Sequence, residues 1–205
     1  MIKILQHYTP SFKPLIDFSR PIHEEYCKIH GYELVIKECE YEKYDGLQKL
    51  KMFHESLNMG DIGLIIDADA LITNLTVKIE SFIEEDYDFF FTGDVEKFNT
   101  GIFIVRKSPF SLYQMAYLKH LVEIGKANCE QDGFIESIRL YPYKKKYFKF
   151  IPHPAFNSYP CELYPEHGNE KEEQGCWREG HFILHVPGQS IEKRLEYFKK
   201  AKITR

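Results

Sequence analysis

At 205 residues, with 43% hydrophobic and 28% charged residues, the chain has ordinary globular composition and ample length for one domain with a full core. Its net charge of -4 excludes general nucleic-acid binding, because no basic excess would draw in a phosphate backbone. The five cysteines (Cys27, Cys39, Cys129, Cys161 and Cys176) form an odd set without metal-ligand spacing, and they read as reduced thiols of a cytosolic protein.

The amino terminus runs straight into a predicted strand, Ile2 to Tyr8, with no cleavable signal or membrane anchor; a cytoplasmic protein is expected. A helix should follow Pro14, with Ile22, Tyr26 and Ile29 on one face, and end at His30-Gly31. Tyr32 to Ile36 reads as the second strand. Gly46 to Leu57 reads as a helix whose inward stripe is Leu47, Leu50, Phe53, His54 and Leu57. Leu64-Ile65-Ile66 is a short apolar run with the character of a buried strand. Two more strands are expected at Asp88 to Thr92 and Gly101 to Arg106, then an amphipathic helix from Phe110 to Ile124. A helix from Gln131 to Leu140 and a short strand from Tyr147 to Ile151 come next, with Lys144-Lys145-Lys146 as a solvated turn before that strand. Residues Asn157 to Glu179 carry Pro, Gly and many charges and predict an irregular loop. His181 to His185 is the last strand, and Ser190 to Ala201 a terminal helix. Alternating strands and helices without a linker imply a single three-layer α/β domain over residues 1–205.

Two carboxylates, Asp67 and Asp69, end the buried run at Leu64-Ile65-Ile66. At the carboxyl end of a parallel strand they face the crevice where open α/β sheets bind ligands. Hard oxygen ligands select Mg²⁺ or Mn²⁺, ions commonly shared with a substrate phosphate. The pattern therefore points to metal-dependent chemistry on a phosphate or nucleotide diphosphate. Asp86 and Asp88 have the same spacing but precede the apolar run Phe89-Phe90-Phe91. Carboxylates there sit at the wrong end of the sheet, where they cap helices or solvate turns.

Four segments acquire meaning together: Ile66-Asp67-Ala68-Asp69-Ala70-Leu71-Ile72-Thr73-Asn74, Phe98-Asn99-Thr100-Gly101-Ile102-Phe103-Ile104-Val105-Arg106, Phe156-Asn157-Ser158-Tyr159-Pro160 and His181-Phe182-Ile183-Leu184-His185-Val186-Pro187-Gly188. In order, spacing and wording they resemble the galactosyl- and xylosyltransferases of glycosyltransferase family 34. So do Tyr26-Cys27-Lys28-Ile29-His30-Gly31-Tyr32 and Glu130-Gln131-Asp132, and the likeness covers roughly residues 1 to 190.

The resemblance implies a GT-A fold, a Rossmann-like nucleotide-binding half continuous with an acceptor half around a mostly parallel sheet. It implies retaining transfer of a sugar from a nucleotide-sugar donor, a UDP-sugar, to a glycan or glycoprotein acceptor. Asp67, Asp69 and His185 would hold Mn²⁺, with Mg²⁺ as the alternative, against the donor diphosphate. Gln6, His7, Tyr8 and Thr9 would flank the nucleobase and ribose, and Tyr8 could stack on uracil. Lys49 would reach the donor phosphates. Ala68, Asn99, Gly101 and Gly188 complete the donor site, Gly101 by allowing close backbone approach. Asp132 first and Gln131 second would orient the donor sugar during same-face attack, without a glycosidase-like carboxylate pair. His153, Asn157 and Tyr159 are candidates for the acceptor side.

Eukaryotic members of that family carry a membrane anchor and work in the Golgi lumen. This shorter, anchorless chain points instead to a minimal microbial or viral enzyme of the cytoplasm (the host's, if virus-encoded), or to one domain of a longer polypeptide. A haloacid-dehalogenase-type phosphatase is the rival enzyme, with Asp67 as nucleophile and Asp69 as acid/base. It expects Thr or Val two positions after the second Asp, where Leu71 stands, and it has no use for His185. An inactive nucleotide-sugar or glycan-binding module is the non-enzyme alternative.

Overall fold

Ile2–Tyr8, buried along its whole length, forms β1 and anchors the sheet. The computed structural model describes residues 1–39, 46–92, 99–152, 156–163 and 175–205, the side chains of 46–48 and 56–59 aside. After β1 come α1 (Lys13–His30), β2 (Glu33–Glu38), α2 (Gly46–Met59), β3 (Ile62–Ile66) and β4 (Ala70–Ile72). β5 (Phe89–Thr92), β6 (Asn99–Arg106), α3 (Pro109–Glu123) and α4 (Glu130–Leu140) follow. β7 (Phe148–Phe150), β8 (Ile183–His185) and α5 (Ile191–Lys200) complete the described elements.

The main sheet has the order β2-β1-β3-β6-β5-β7, and only β6 runs against the others. Alternate residues of each strand enter opposite layers, as the two-residue period of a strand requires. Ile4, Leu64, Ile66, Phe90 and Ile104 pack with Tyr26 of α1 on one face. Leu5, Ile65, Phe89, Phe91 and Phe103 pack with Phe53 of α2, Met115 of α3 and Phe134 of α4 on the other. This is the expected three-layer α/β/α arrangement. α1 ends where Gly31 takes φ 72°, a left-handed turn that glycine adopts without a Cβ penalty. Its buried face carries Leu15, Ile16, Ser19, His23, Tyr26 and Cys27, whereas Ile29 is exposed, contrary to its expected inward place. Leu50 and Phe53 of the α2 stripe are buried, and His54 is half-buried; Leu47 and Leu57 lie outside the described side chains.

A second sheet was not legible in the sequence. β4 pairs antiparallel with β8, placing Ala70 opposite His185 and Ile72 opposite Ile183. β4 is three residues long and follows the two carboxylates by a tight turn, in which Ala70 N donates to Asp67 O at 3.1 Å. Its periodicity is too short to register as a strand of its own.

The lysine cluster and the cysteines also differ from expectation. Lys144 is only 1% exposed, not solvated. It donates to Gln114 Oε1 and Ser137 Oγ at 3.0 and 2.8 Å, and its ammonium lies 4.4 Å from the Tyr117 ring centroid. Hydrogen bonds and ring faces replace the water that burial removes. Asp88 behaves as anticipated for a carboxylate before a strand. It accepts from Ser108 Oγ, whose residue caps α3, and pairs with Arg106.

Cys161 and Cys176 form a disulfide beside the bridge between Tyr159 and Cys176, so the reading of five reduced thiols is corrected. Cys27, Cys39 and Cys129 take no part in that disulfide. Thiol titration of the unfolded, unreduced protein should therefore find three thiols, rising to five after reduction. With the cysteines 15 residues apart, reduction should lower stability by about 3 kcal/mol, measurable in urea. Five thiols before reduction would reject the bridge. Among the described residues no helix is long and apolar enough to cross a membrane.

Candidate functional site

β1 and β3 are parallel, so Gln6, His7 and Tyr8 finish at the same edge as Asp67. β6 runs the other way and begins at that edge, which puts Asn99, Thr100 and Gly101 beside it. Asp67 N donates to Gly101 O at 2.7 Å, locking the strand end against the start of β6. The β4–β8 pair then carries His185 to Asp69, and the amino terminus of α4 brings Glu130 and Gln131 to the same place. Residues far apart in sequence converge because one strand of the main sheet is reversed and a second, small sheet returns the chain.

Asp67, Asp69 and His185 present ligand atoms that all lie within 4.8 Å of one another. His185 Nε2 is 3.3 Å from Asp69 Oδ1. On its far side, His185 Nδ1 lies 3.2 Å from Asn157 Oδ1; assigning the proton to Nδ1 satisfies that contact and leaves Nε2 its lone pair. Gly101 closes the group from below. A Cβ there would stand 2.5 Å from His185 Cε1 and 3.1 Å from Asp67 Oδ2, so only glycine leaves the space open. Two carboxylate oxygens, one imidazole nitrogen and a space that a methyl group would fill suit a hard or borderline divalent cation.

Each carboxylate is also held by a buried cation. Lys49, fully buried, donates to Asp67 Oδ1 and Glu130 Oε1, both at 2.7 Å, and to Thr100 O at 2.8 Å. Arg194 of α5 places Nη2 3.0 Å from Asp69 Oδ2, donates from Nε to Val186 O at 3.0 Å, and lies over the Phe12 ring. Burial pushes the Asp67 carboxyl up to about 6, against Lys49 and with help from Asp69 and Glu130. Burial works in the same sense on Asp69, but the adjoining His185 imidazole and the Arg194 guanidinium outweigh it and hold that carboxyl below its ordinary range. For Lys49, burial alone would favour the neutral amine; Asp67 and Glu130 reverse this and hold the ammonium above its usual range. His7, nine-tenths or more shielded, is brought down to about 4 by burial and by Lys49, and stays neutral at pH 7.

Two clefts share Asp67 and Asp69. One, of about 200 Å³, is lined by His7, Tyr8, Thr9, Ser11, Phe12 and Ala68 as well. The other, of about 260 Å³, adds Asn99, Thr100, Gly101, Glu130, Gln131 and His185 among its walls. The carboxylate pair thus stands at the boundary of a two-part groove.

Several anticipated site residues take more specific positions than the sequence indicated. Gln6 is buried and donates to Asp67 O at 3.1 Å, fixing the turn rather than opening into the groove. Tyr8 lines the first cleft and donates to Glu38 Oε2, while Thr9 Oγ1 bonds Ser11 Oγ. Lys49 spends its three donors on protein oxygens. Gln131 lines the second cleft, whereas the Asp132 carboxylate accepts from the backbone N–H and the Nδ2 of Asn128 at the start of α4. Gly188 takes φ 67° in the turn between β8 and α5. Asn157 and Tyr159 are buried, not presented to an acceptor. Asn157 Nδ2 donates to Asn99 Oδ1 and Thr92 Oγ1, and Asn99 Nδ2 donates to Tyr159 OH. His153 lies outside the described residues.

Sequence reasoning quoted Glu130 within a motif but gave it no role, and it passed over Arg194. Arg194 left a signal: it falls between Ile191, Leu195 and Phe198 on the inward face of an amphipathic helix, where a lone guanidinium needs a partner. Asn157 has a measurable role in this arrangement. Asn157→Ala should weaken Mn²⁺ binding roughly 10- to 100-fold by releasing the His185 ring, while Asn157→Asp, which retains an acceptor, should lose less. Calorimetric titration with Mn²⁺ checks this; equal affinity in the alanine variant and the wild type would refute it.

No protein-family model matches this chain, and no curated protein matches it by sequence. Solved structures do match it. A glycosyltransferase involved in the glycosylation of the major capsid of PBCV-1 superposes with a TM-score of 0.75 at 20% identity, over 97% of this chain and 98% of that one. The galactosyltransferase LgtC, solved with donor and acceptor sugar analogs, gives a TM-score of 0.59 at 11% identity, over 99% of this chain and 97% of its own. The glycosyltransferase GlyE of Streptococcus pneumoniae TIGR4 gives 0.59 at 12% identity, over 96% of this chain and 59% of GlyE. The chain has the GT-A glycosyltransferase fold, with an Asp-Xaa-Asp metal-binding group at the open edge of its sheet.

Proposed function

We propose that the protein is a metal-dependent glycosyltransferase that moves a sugar from a nucleotide-sugar donor, a UDP-sugar, to a hydroxyl of a glycan or glycoprotein acceptor with retention of configuration. The observation that carries this reading is the Asp67–Asp69–His185 group at the boundary of a two-part groove. His7, Tyr8 and Thr9 would take the nucleoside on one side, and the donor sugar would lie on the other, against Asn99, Gly101 and Gln131. The mixed oxygen and imidazole donor set favours Mn²⁺ over Mg²⁺, which prefers oxygen and water. When bound, the cation supplies Lewis-acid stabilisation of the charge that develops on the departing diphosphate.

The chain's own residues supply the rest. Neutral His7 and the Tyr8 ring form a wall for an uncharged base. Gln131, already at the groove, orients the sugar; Asp132 acts through the start of α4, because its carboxylate is engaged by Asn128. Attack by the acceptor hydroxyl on the face from which the diphosphate departs, its proton passing to the departing diphosphate oxygen, gives retention without a protein nucleophile. Gly188 sets the turn that leads from His185 into α5.

The phosphatase alternative loses ground on His185, whose placement at Asp69 has no purpose for an aspartyl nucleophile. The test is release of UDP from a panel of UDP-sugars, with and without Mn²⁺. Metal-dependent release from one or two sugars supports the proposal and names the donor. Absence of both UDP release and UDP binding in the presence of Mn²⁺ would reject it.

A further inference from the structure

Arg194 comes from the last helix, yet its guanidinium reaches the metal group. Its guanidinium is tied at three points: Asp69 Oδ2 at 3.0 Å, Val186 O at 3.0 Å, and the Phe12 ring, whose centroid is 4.8 Å from Cζ. Arginine stays charged at any working pH, and this one is 8% exposed. Phe12 and Asp69 both line the cleft on the nucleoside side. The guanidinium therefore stands behind the stretch of cleft wall that these two residues form, next to the metal group.

Charge balance gives the arrangement a consequence. The carboxylates of Asp67, Asp69 and Glu130 are joined to Lys49 and Arg194, and His185 as a metal ligand is neutral. The connected group carries one net negative charge. A bare divalent cation would turn that into one net positive charge in a buried place, where unbalanced charge is costly. A cation arriving with the two negative charges of a nucleotide-sugar diphosphate would add no net charge and leave the group at the single negative charge the fold already holds. Without Arg194 the same group would carry two negative charges and would accept the bare cation readily.

We propose that Arg194 is a charge-balancing, positioning residue that makes the site select a divalent cation together with a diphosphate over the cation alone. This deepens the glycosyltransferase reading and rests on it for the diphosphate. Neutralising the Asp69 oxygen that faces α5 weakens the attraction for a lone cation. The same positive charge favours the phosphate oxygens once they are present.

The test measures two affinities in the full chain by calorimetry: Mn²⁺ alone, and UDP at saturating Mn²⁺. Arg194→Met should bind Mn²⁺ alone about tenfold more tightly and UDP about tenfold more weakly, the size expected when one charge-assisted contact is removed. Arg194→Lys, which keeps the charge, should stay near wild type in both, and it preserves the test if the methionine variant does not fold. A merely structural residue would lose both affinities together, and that result, or no change in either, overturns the proposal. If wild type binds Mn²⁺ but never UDP, the donor reading fails instead. The Mn²⁺ arm still decides whether Arg194 opposes the lone cation.

Discussion

Asp69→Ala should abolish sugar transfer, lowering metal-dependent UDP release by at least 10²–10³, or about 3–4 kcal/mol of transition-state stabilisation. Asp69 is the node of the site. One oxygen faces His185 Nε2, the other holds Arg194, and its carbonyl accepts from Val186 N at 2.9 Å. Alanine removes a metal ligand and leaves Arg194 without its carboxylate, and breaking a buried pair in this way costs roughly 3–5 kcal/mol of stability. Loss of activity alone would therefore not separate chemistry from folding. Asp69→Asn does so. It keeps the volume and an oxygen acceptor for Arg194 while removing the ligand charge, and it should lose turnover almost as completely with a much smaller change in urea midpoint. An asparagine variant that folds and releases UDP at the wild-type rate would remove Asp69 from the metal site.

The sheet was legible because its inner strands are buried on both faces and carry short apolar runs, such as Leu64 to Ile66 and Phe89 to Phe91. Helix ends were legible where Gly31 and Ser190 mark them. Asp67 and Asp69 stood out because carboxylates at the end of such a run have no packing role. What escaped were properties of contact. Lys49 was expected at the donor phosphates and Lys144 in solvent, yet each is buried because oxygens or ring faces converge on it from several elements. Asn157 and Tyr159 were candidates for the acceptor side through the family resemblance of their segment. Here they support His185 and Asn99 from beneath. The Cys161–Cys176 bridge escaped for a related reason: their spacing allows a pair, but only the return of the chain alongside Tyr159 makes one.

Gly101→Ala should have the second largest effect, although it changes no charge and removes no atom. Its added Cβ would meet His185 Cε1 at 2.5 Å, closer than side chains tolerate, with Asn99 Oδ1 and Asp67 Oδ2 both at 3.1 Å. His185 is buried and fixed by Asn157, so the ring cannot yield without leaving the metal group. A ligand displaced by about 1 Å can cost roughly 100-fold in rate, and overpacking adds about 1–3 kcal/mol of destabilisation. Both effects arise from one collision, so they should disappear together when the partner is cut back. In the His185→Ala background, where the ring is gone, adding Gly101→Ala should cost little further stability. A double-mutant cycle in urea should then show a coupling of about 1 kcal/mol or more between positions 101 and 185. Strict additivity, or wild-type Mn²⁺ affinity in Gly101→Ala, would mean that the glycine is an ordinary turn residue. Coupling would place the imidazole against β6, at the proposed cation site.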